Sequence, residues 1–137
     1  YGLTPLVNER ACGPDFYEEA KKSGHYIELD PSMSMEEAKE YANKMDVLYT
    51  DTWVDMEFFN NPAYQKQKEE TLAKMMPYQL NGDFTKDSKA IVFHDMPMHV
   101  GFEISQDVVD KNLDHILDEA ENRRHAEKAV MYTLLNS

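Results

Sequence analysis

The sequence predicts an α/β domain with a three-layer Rossmann-like fold, in which helices cover both faces of a parallel sheet. Two observations support this prediction. Helical segments alternate with short apolar segments along the chain, and most of those apolar segments are nearly continuous, as in strands buried on both faces. The length of 137 residues corresponds to one domain. We therefore expect a single domain over 1–137, with an irregular start over 1–14.

The first half of the chain predicts two helices and two strands. Each helix begins at a capping-box pair, an Asp or Ser followed three residues later by Glu, and the first is expected to end at a glycine. Each strand is a short apolar or alternating run. The predicted elements are a helix over 15–23, a strand over 25–29, a helix over 34–44 and a buried strand over 46–50.

The second half predicts a longer helix, a central strand and a final strand–helix pair. Asn61 and Pro62 have the residue types preferred at an N-cap and at the first helical position. Asp118 and Glu121 again have capping-box spacing. The expected elements are a polar turn over 51–60, a helix over 61–75, a strand over 90–93, a helical turn at 108–109 capped by Ser105, a strand at 116–117 and a last helix from Asp118.

The charge and the cysteine content exclude several kinds of partner. The chain has 26 acidic and 14 basic residues, a formal net charge of −12, which disfavours nucleic acid and anionic membrane surfaces. No apolar run approaches the roughly 20 residues that span a bilayer. Cys12 is the only cysteine, which excludes an intrachain disulfide and fits a reducing compartment. We expect a cytoplasmic protein without nucleic-acid or membrane partners.

Two strand ends carry the polar residues that suggest chemistry. Ligands of parallel α/β sheets bind at the carboxyl ends of strands, and Asp51 and His94 occupy two such ends. A carboxylate at Asp51 could hold an ammonium group by a charge-assisted hydrogen bond. For Asp55 and Glu57, further along the same loop, a solvated or helix-capping position explains the carboxylate as well as a functional role does.

Residues 94–101 place two histidines around a carboxylate on a turn at Pro97. Three interpretations remain open. The favoured one is a substrate site without a metal or other cofactor. The second is a polar turn with a histidine facing the interior. The third is a metal site formed by His94, Asp95 and His99, although the spacing matches no established zinc motif.

Four segments follow one another along the chain in an informative order: 46–54 (DVLYTDTWV), 77–81 (PYQLN), 93–104 (FHDMPMHVGFEI) and 118–123 (DEAENR). They resemble the patterns DVxYTDxWxSMG, PYQVN, MHCLPAHRGEEV and DEAENR of the aspartate/ornithine carbamoyltransferase family, specifically of its C-terminal amino-acid-binding domain. The resemblance covers about residues 34–135 and is closer to the ornithine branch, since the aspartate branch has HPLPR at the corresponding turn.

The resemblance implies transfer of a carbamoyl group from carbamoyl phosphate to an amine, without a cofactor. It implies that one loop binds the amine and that the loop after the apolar strand lies beside the reacting groups. The implied substrate-binding residues are Asp51, Asp55, Met56 and His99. The implied catalytic residues are His94, Asp95, Met96 and Pro97, and the implied loop-anchoring residues are Glu121 and Arg123.

The sequence departs from the family pattern at four site positions: Asp55 replaces Ser, Glu57 replaces Gly, Asp95 replaces Cys and Val100 replaces Arg. The family's Ser-Thr-Arg-Thr phosphate motif does not occur in these 137 residues. We expect an N-terminal domain before Tyr1 to bind carbamoyl phosphate, and a homotrimer as in the family. The added carboxylates suggest a more cationic substrate, such as a diamine. The alternative is a non-catalytic binding or regulatory relative.

Overall fold

The structure is a computed structural model that describes residues 14–24, 26 and 32–136. The chain divides into two units, Tyr1–Ser34 and Met35–Ser137. The first contains helix α1 (Pro14–Lys22), which ends just before Gly24, a residue with a φ of 74° that glycine adopts readily. This confirms the first predicted helix, although the observed helix begins one residue earlier than predicted. The predicted strand over 25–29 lies, apart from Tyr26, outside the described residues.

The second unit is built on a parallel pair of strands, β1 (Val47–Thr50) and β2 (Ile91–His94). Helix α2 (Met35–Ala42) precedes β1. The register pairs Val47 with Ile91 and Thr50 with His94, so both strands end at the same level. These elements confirm the α/β class and the parallel pairing, and they bring the two polar strand ends side by side.

The connection between the strands is mostly helical. It contains α3 (Met56–Phe59) and α4 (Gln65–Met75), with 3₁₀ turns at Pro62–Tyr64 and Met76–Tyr78. The side-chain oxygen of Asn61 accepts a hydrogen bond from the Ala63 N–H at 3.0 Å, which confirms the predicted cap. The predicted polar turn over 51–60 was wrong for its second half, where the Asp55 carbonyl accepts hydrogen bonds from the Phe58 and Phe59 amides and α3 begins.

Residues after Ser105 form one 31-residue helix, α5 (Gln106–Asn136). The predicted strand at 116–117 and the separate helix from Asp118 were therefore wrong. No glycine or proline occurs after Gly101 to break a helix. In addition, Val108, Asn112 and Ile116 are buried at a spacing of four residues, which places them on one helical face.

The core lies between β2 and the first half of α5. Its fully buried side chains include Phe84, Val92, Ile104, Val108 and Ile116. The prediction that β1 is buried on both faces was wrong, since Val47 is 43% and Tyr49 is 55% exposed. Within the described residues β1 pairs only with β2, and its side chains alternate between exposed and half-buried. None of the helices described is long and apolar enough to cross a membrane.

Candidate functional site

Asp51 and Asp95 meet at the carboxyl ends of the two strands. Each directly follows a strand, and the paired residues Thr50 and His94 set them at the same edge. Their carboxyl groups are close enough for the charge of Asp51 to act on Asp95. One oxygen of Asp51, Oδ1, also accepts a hydrogen bond from the Thr52 N–H at 2.6 Å. The structure thus brings together the two strand-end carboxylates singled out in the sequence.

This edge of the sheet is strongly acidic. Burial raises the pKa of Asp95, and the neighbouring charge of Asp51 raises it further. Burial also raises the pKa of Tyr49, whose hydroxyl donates a hydrogen bond to Glu119 Oε1 at 2.9 Å. The charges of Asp95, Glu119 and Asp51 act in the same direction. We call the four residues Tyr49, Asp51, Asp95 and Glu119 the acidic crevice.

Two oxygen atoms of the acidic crevice are buried and unused as acceptors. Within the described part of the chain, Asp95 Oδ1 and Glu119 Oε2 have no hydrogen-bond partner. Buried carboxylate oxygens usually have one, because leaving them unpaired is costly. The crevice therefore has acceptor capacity for a group that carries N–H donors and a positive charge.

His94 is buried behind the acidic crevice, where its Nδ1 lies 3.4 Å from Oδ1 of Asp95. The side chain is fully buried, its Nδ1 accepts a hydrogen bond from the Met96 N–H at 3.0 Å, and its Nε2 lies 3.3 Å from Glu103 Oε1. Both ring nitrogens are thus used within the protein, so the implied contact of His94 with a substrate is not observed. Among residues 14–24, 26 and 32–136, no three His, Cys, Asp or Glu side chains are grouped to hold a metal ion.

The loop after β2 packs against the end of α3. Met96 has a φ of 57° and precedes Pro97 through a cis peptide bond. The His99 ring stacks on Phe59, with ring centroids 3.7 Å apart and planes 14° apart. Phe102 meets the same Phe59 ring edge-on at 5.2 Å. This stack joins the two loops that the resemblance assigned to the substrate.

Asp55 lies apart from the Asp51–Asp95 pair. It precedes α3 without a side-chain capping bond and lines a separate open cavity of about 210 Å³, together with Trp53, Phe58 and Lys68. Its charge is not among those that shift the pKa of Asp95. Met56, the first residue of α3, is 40% exposed. The structure therefore does not bring Asp55 and Met56 together with Asp51, as the implied amine loop would require.

Glu121 and Arg123 lie on the exposed half of α5 and pair along that helix instead of anchoring a loop. Glu121 contacts Arg124 at 2.5 Å and His125 at 3.5 Å, and Arg123 contacts Glu127 at 3.4 Å. The cause is the continuous helix, which brings residues three and four apart onto one face. In a chain with the expected strand at 116–117, they would have followed a strand end.

Sequence reasoning missed three polar residues of this region: Tyr49, Glu103 and Glu119. Glu103 had a detectable signal, because it is a lone carboxylate between the apolar residues Phe102 and Ile104. Tyr49 lies in an apolar strand and gave no signal. Glu119 reaches Tyr49 only because α5 is continuous.

Comparison with known proteins agrees with the segments described above. The family model for the aspartate/ornithine carbamoyltransferase Asp/Orn-binding domain matches residues 3–134. The ornithine carbamoyltransferase of Chlorobaculum tepidum is 40% identical over 99 residues, which are 71% of this chain and 28% of that protein. That of Methanospirillum hungatei is 33% identical over 130 residues, which are 93% of this chain and 39% of that protein.

Solved structures show the same relationship. The anabolic ornithine carbamoyltransferase of Campylobacter jejuni superposes with a TM-score of 0.69 at 26% identity, covering 90% of this chain and 39% of that one. The ornithine carbamoyltransferase of Pyrococcus furiosus gives a TM-score of 0.57 at 35% identity, covering 68% and 28%. The chain thus spans less than two-fifths of the length of these relatives.

Proposed function

Because the chain belongs to the aspartate/ornithine carbamoyltransferase family and matches its Asp/Orn-binding domain, we propose that it is the amine-binding part of an ornithine carbamoyltransferase-like enzyme. The whole enzyme would transfer a carbamoyl group from carbamoyl phosphate to an amine. The observation that supports this role most directly is the Asp51–Asp95 pair at the carboxyl edge of the sheet. Open α/β sheets bind ligands at this edge.

The substrate is proposed to bind in the acidic crevice by an ammonium group, while a second, unprotonated amine of the same molecule attacks the carbamoyl carbon. Two neighbouring carboxylates repel each other when both are ionised, and a bound cation relieves that repulsion. The unused oxygens Asp95 Oδ1 and Glu119 Oε2 can accept its N–H bonds. Met96 and Pro97 follow Asp95 directly, so the loop they form adjoins the bound amine and, in the proposed enzyme, its carbamoyl donor.

The acidic crevice favours a substrate with more than one positive charge. Asp95 stands where the family pattern has Cys, and Glu119 and Asp51 add two further carboxylates to the same crevice. A diamine such as putrescine, or ornithine with its side-chain amine, would match this charge better than a monoamine. Asp55 contributes less than the sequence suggested, since it lines the separate cavity.

Carbamoyl phosphate requires cationic partners that the acidic crevice does not supply, since its four residues are three acids and a phenol. In the proposed enzyme, another part of a longer protein would provide them, within a cytoplasmic homotrimer. The same observation favours the second candidate function, a binding or regulatory relative that holds an amine without transferring a carbamoyl group.

Calorimetric titration of the chain with putrescine, ornithine, agmatine and butylamine tests the amine site. We expect the three ligands with two amine or amine-like cationic groups to bind about tenfold or more tightly than butylamine, equivalent to about 1.4 kcal/mol. Asp51→Asn should weaken the binding of these ligands at least tenfold and leave the melting temperature unchanged. Asp87→Asn, in an exposed turn, should leave the binding unchanged. Equal binding of butylamine and putrescine would contradict the proposal.

Carbamoyl transfer by the complete gene product separates the two candidate functions. Product formation from carbamoyl phosphate and an amine that binds the chain supports the enzyme. Amine binding by the complete gene product without any transfer supports the binding or regulatory relative. If Asp51→Asn unfolds the chain while binding per folded molecule is unchanged, Asp51 is structural and the proposed amine site is wrong.

A further inference from the structure

Glu103 is a buried carboxylate for which the amine site, as proposed, has no use. Its side chain is fully buried beneath the loop that follows β2. A carboxylate in such a place is costly unless hydrogen bonds compensate its lost hydration. The partners that Glu103 has found therefore indicate what it does.

One oxygen of Glu103 connects two points of the loop after β2. Oε1 accepts a hydrogen bond from the His99 backbone N–H and lies 3.3 Å from Nε2 of His94. His94 ends β2, so this single oxygen holds both ends of the segment 95–98. The backbone of Glu103 is itself fixed, because its carbonyl accepts a hydrogen bond from the Leu80 N–H at 3.0 Å.

The hydrogen bonds around His94 select one tautomer of its ring. The Met96 N–H donates to Nδ1 at 3.0 Å, so Nδ1 acts as an acceptor and carries no proton. Oδ1 of Asp95 lies 3.4 Å from the same nitrogen but has no hydrogen-bond partner, so it does not compete for that proton. The proton of the neutral ring is then on Nε2, where it is donated to Glu103. Met96 has a φ of 57°, a conformation that a side chain other than glycine adopts only when its surroundings hold it. The acceptor of its N–H is one such restraint.

We infer that Glu103 is a positioning residue: by holding His94 in the Nε2–H tautomer, it fixes the backbone of Asp95 and Met96 beside the acidic crevice. Glu103 touches no crevice residue itself and acts through His94. The effect of Glu103 on carbamoyl transfer rests on the proposed function. The effect of Glu103 on the His94 tautomer can be measured without any activity.

Two substitutions separate the acceptor role of Glu103 from simple filling of space. Glu103→Gln keeps an oxygen that can accept both bonds, and Glu103→Leu keeps a similar volume without an acceptor. Met75→Ala, a buried change on α4, is the matched control for a general loss of stability. The readout is the pair of ring ¹⁵N chemical shifts of His94 in the 137-residue chain, with hydrogen exchange of the Met96 N–H.

The wild-type chain and Glu103→Gln should show the Nε2–H tautomer, and so should Met75→Ala. Glu103→Leu should show a mixture of tautomers and at least tenfold faster exchange of the Met96 N–H. An Nδ1–H tautomer in the wild-type chain overturns the inference, and this holds even if Glu103→Leu fails to fold. An unchanged tautomer in folded Glu103→Leu overturns it as well.

Kinetics of the complete gene product test the consequence for the reaction. Glu103→Leu should lower kcat by roughly 10²-fold with a KM for the amine changed by less than about threefold, since displaced reacting groups cost rate more than binding. Glu103→Gln should restore most of kcat. If the wild-type gene product transfers no carbamoyl group, the proposed function fails, and the tautomer measurement alone decides the role of Glu103.

Discussion

Asn112 on α5 closes the outer edge of β2 by accepting a hydrogen bond from the backbone N–H of Val92 at 3.0 Å. The side-chain amide of Asn112 also donates to the Val108 carbonyl at 2.9 Å. Both residues are buried, so neither group has water as a substitute. A single polar side chain thus couples the long helix to the sheet.

Asn112→Ala should destabilise the fold by about 1–3 kcal/mol, because it leaves the Val92 N–H buried without an acceptor. Urea denaturation followed by circular dichroism measures this loss. Asn136→Ala is the control, since Asn136 is exposed near the end of the same helix and also donates to a carbonyl four residues back. Equal losses in the two variants would show that the bond to Val92 contributes nothing to stability.

Ile116→Ala should cost about 2–5 kcal/mol, as expected for a large apolar side chain removed from a packed core. Ile116 is fully buried, whereas its neighbour Leu117 is 50% exposed. Leu117→Ala should therefore cost less than about 1 kcal/mol. Thermal unfolding of the two variants gives the comparison. Similar losses would contradict the helical face that the structure assigns to this segment.

Two of the predictions that succeeded, the helical start at Asn61 and Pro62 and the strand β2, depend on local signals. Asn61 and Pro62 fix a helix start through contacts within two residues, and the apolar run at 91–93 is a strand in almost any α/β context. By contrast, the apolar pair at 116–117 is compatible with both a strand and a helix, and only packing against β2 decides between the two. The same limit hid Glu119, whose partner Tyr49 is 70 residues away.

Prediction of the site likewise succeeded where the signal was local and failed where it depended on residues distant in sequence. Asp51 and Asp95 could be paired from the sequence because the ends of parallel strands share an edge. The orientation of His94 could not, since it depends on Glu103 reaching back from beyond the turn. The resemblance assigned Asp55 to the same amine-binding loop as Asp51, but the chain bends at Trp53 and Val54, between the two residues.

Asp95→Asn should make the folding stability of the protein less sensitive to rising pH. Because the folded-state pKa of Asp95 is raised above its unfolded value, its stabilising contribution is complete at low pH and is lost as pH rises through the folded pKa. At pH 7 the variant should be at least as stable as the wild-type chain, by no more than about 1 kcal/mol, because solvent screens a side chain that is 44% exposed.

The difference between Asp95→Asn and the wild-type chain should disappear below about pH 4, where the carboxyl group is protonated in both states. Melting temperatures measured from pH 3 to pH 8 test this. Asp87→Asn, in the exposed turn, should show no such convergence. A variant that loses stability at pH 7 and regains it in acid would have the opposite sign and would refute strain between Asp51 and Asp95.

If the native substrate is bound as ornithine is in the family, Asp95→Cys combined with Val100→Arg should increase carbamoyl transfer to ornithine by the complete gene product by at least severalfold. The double variant restores the family residues at both positions, removes one carboxylate from the acidic crevice and adds a cation for the phosphate. Initial rates with ornithine and with putrescine measure the effect. A drop in the rate with ornithine would show that the native substrate requires Asp95.

The second half of α5 has a consequence for the local opening of the chain. The helix is about 47 Å long at 1.5 Å per residue, and every side chain from Glu121 to Asn136 is exposed. Amides between Val108 and Ile116 exchange when the core opens, whereas those beyond Glu121 are protected by helical hydrogen bonds that only side-chain ion pairs as far as Glu127 support. The free energy of opening therefore falls along a single helix, and its lower part decreases as salt screens those pairs.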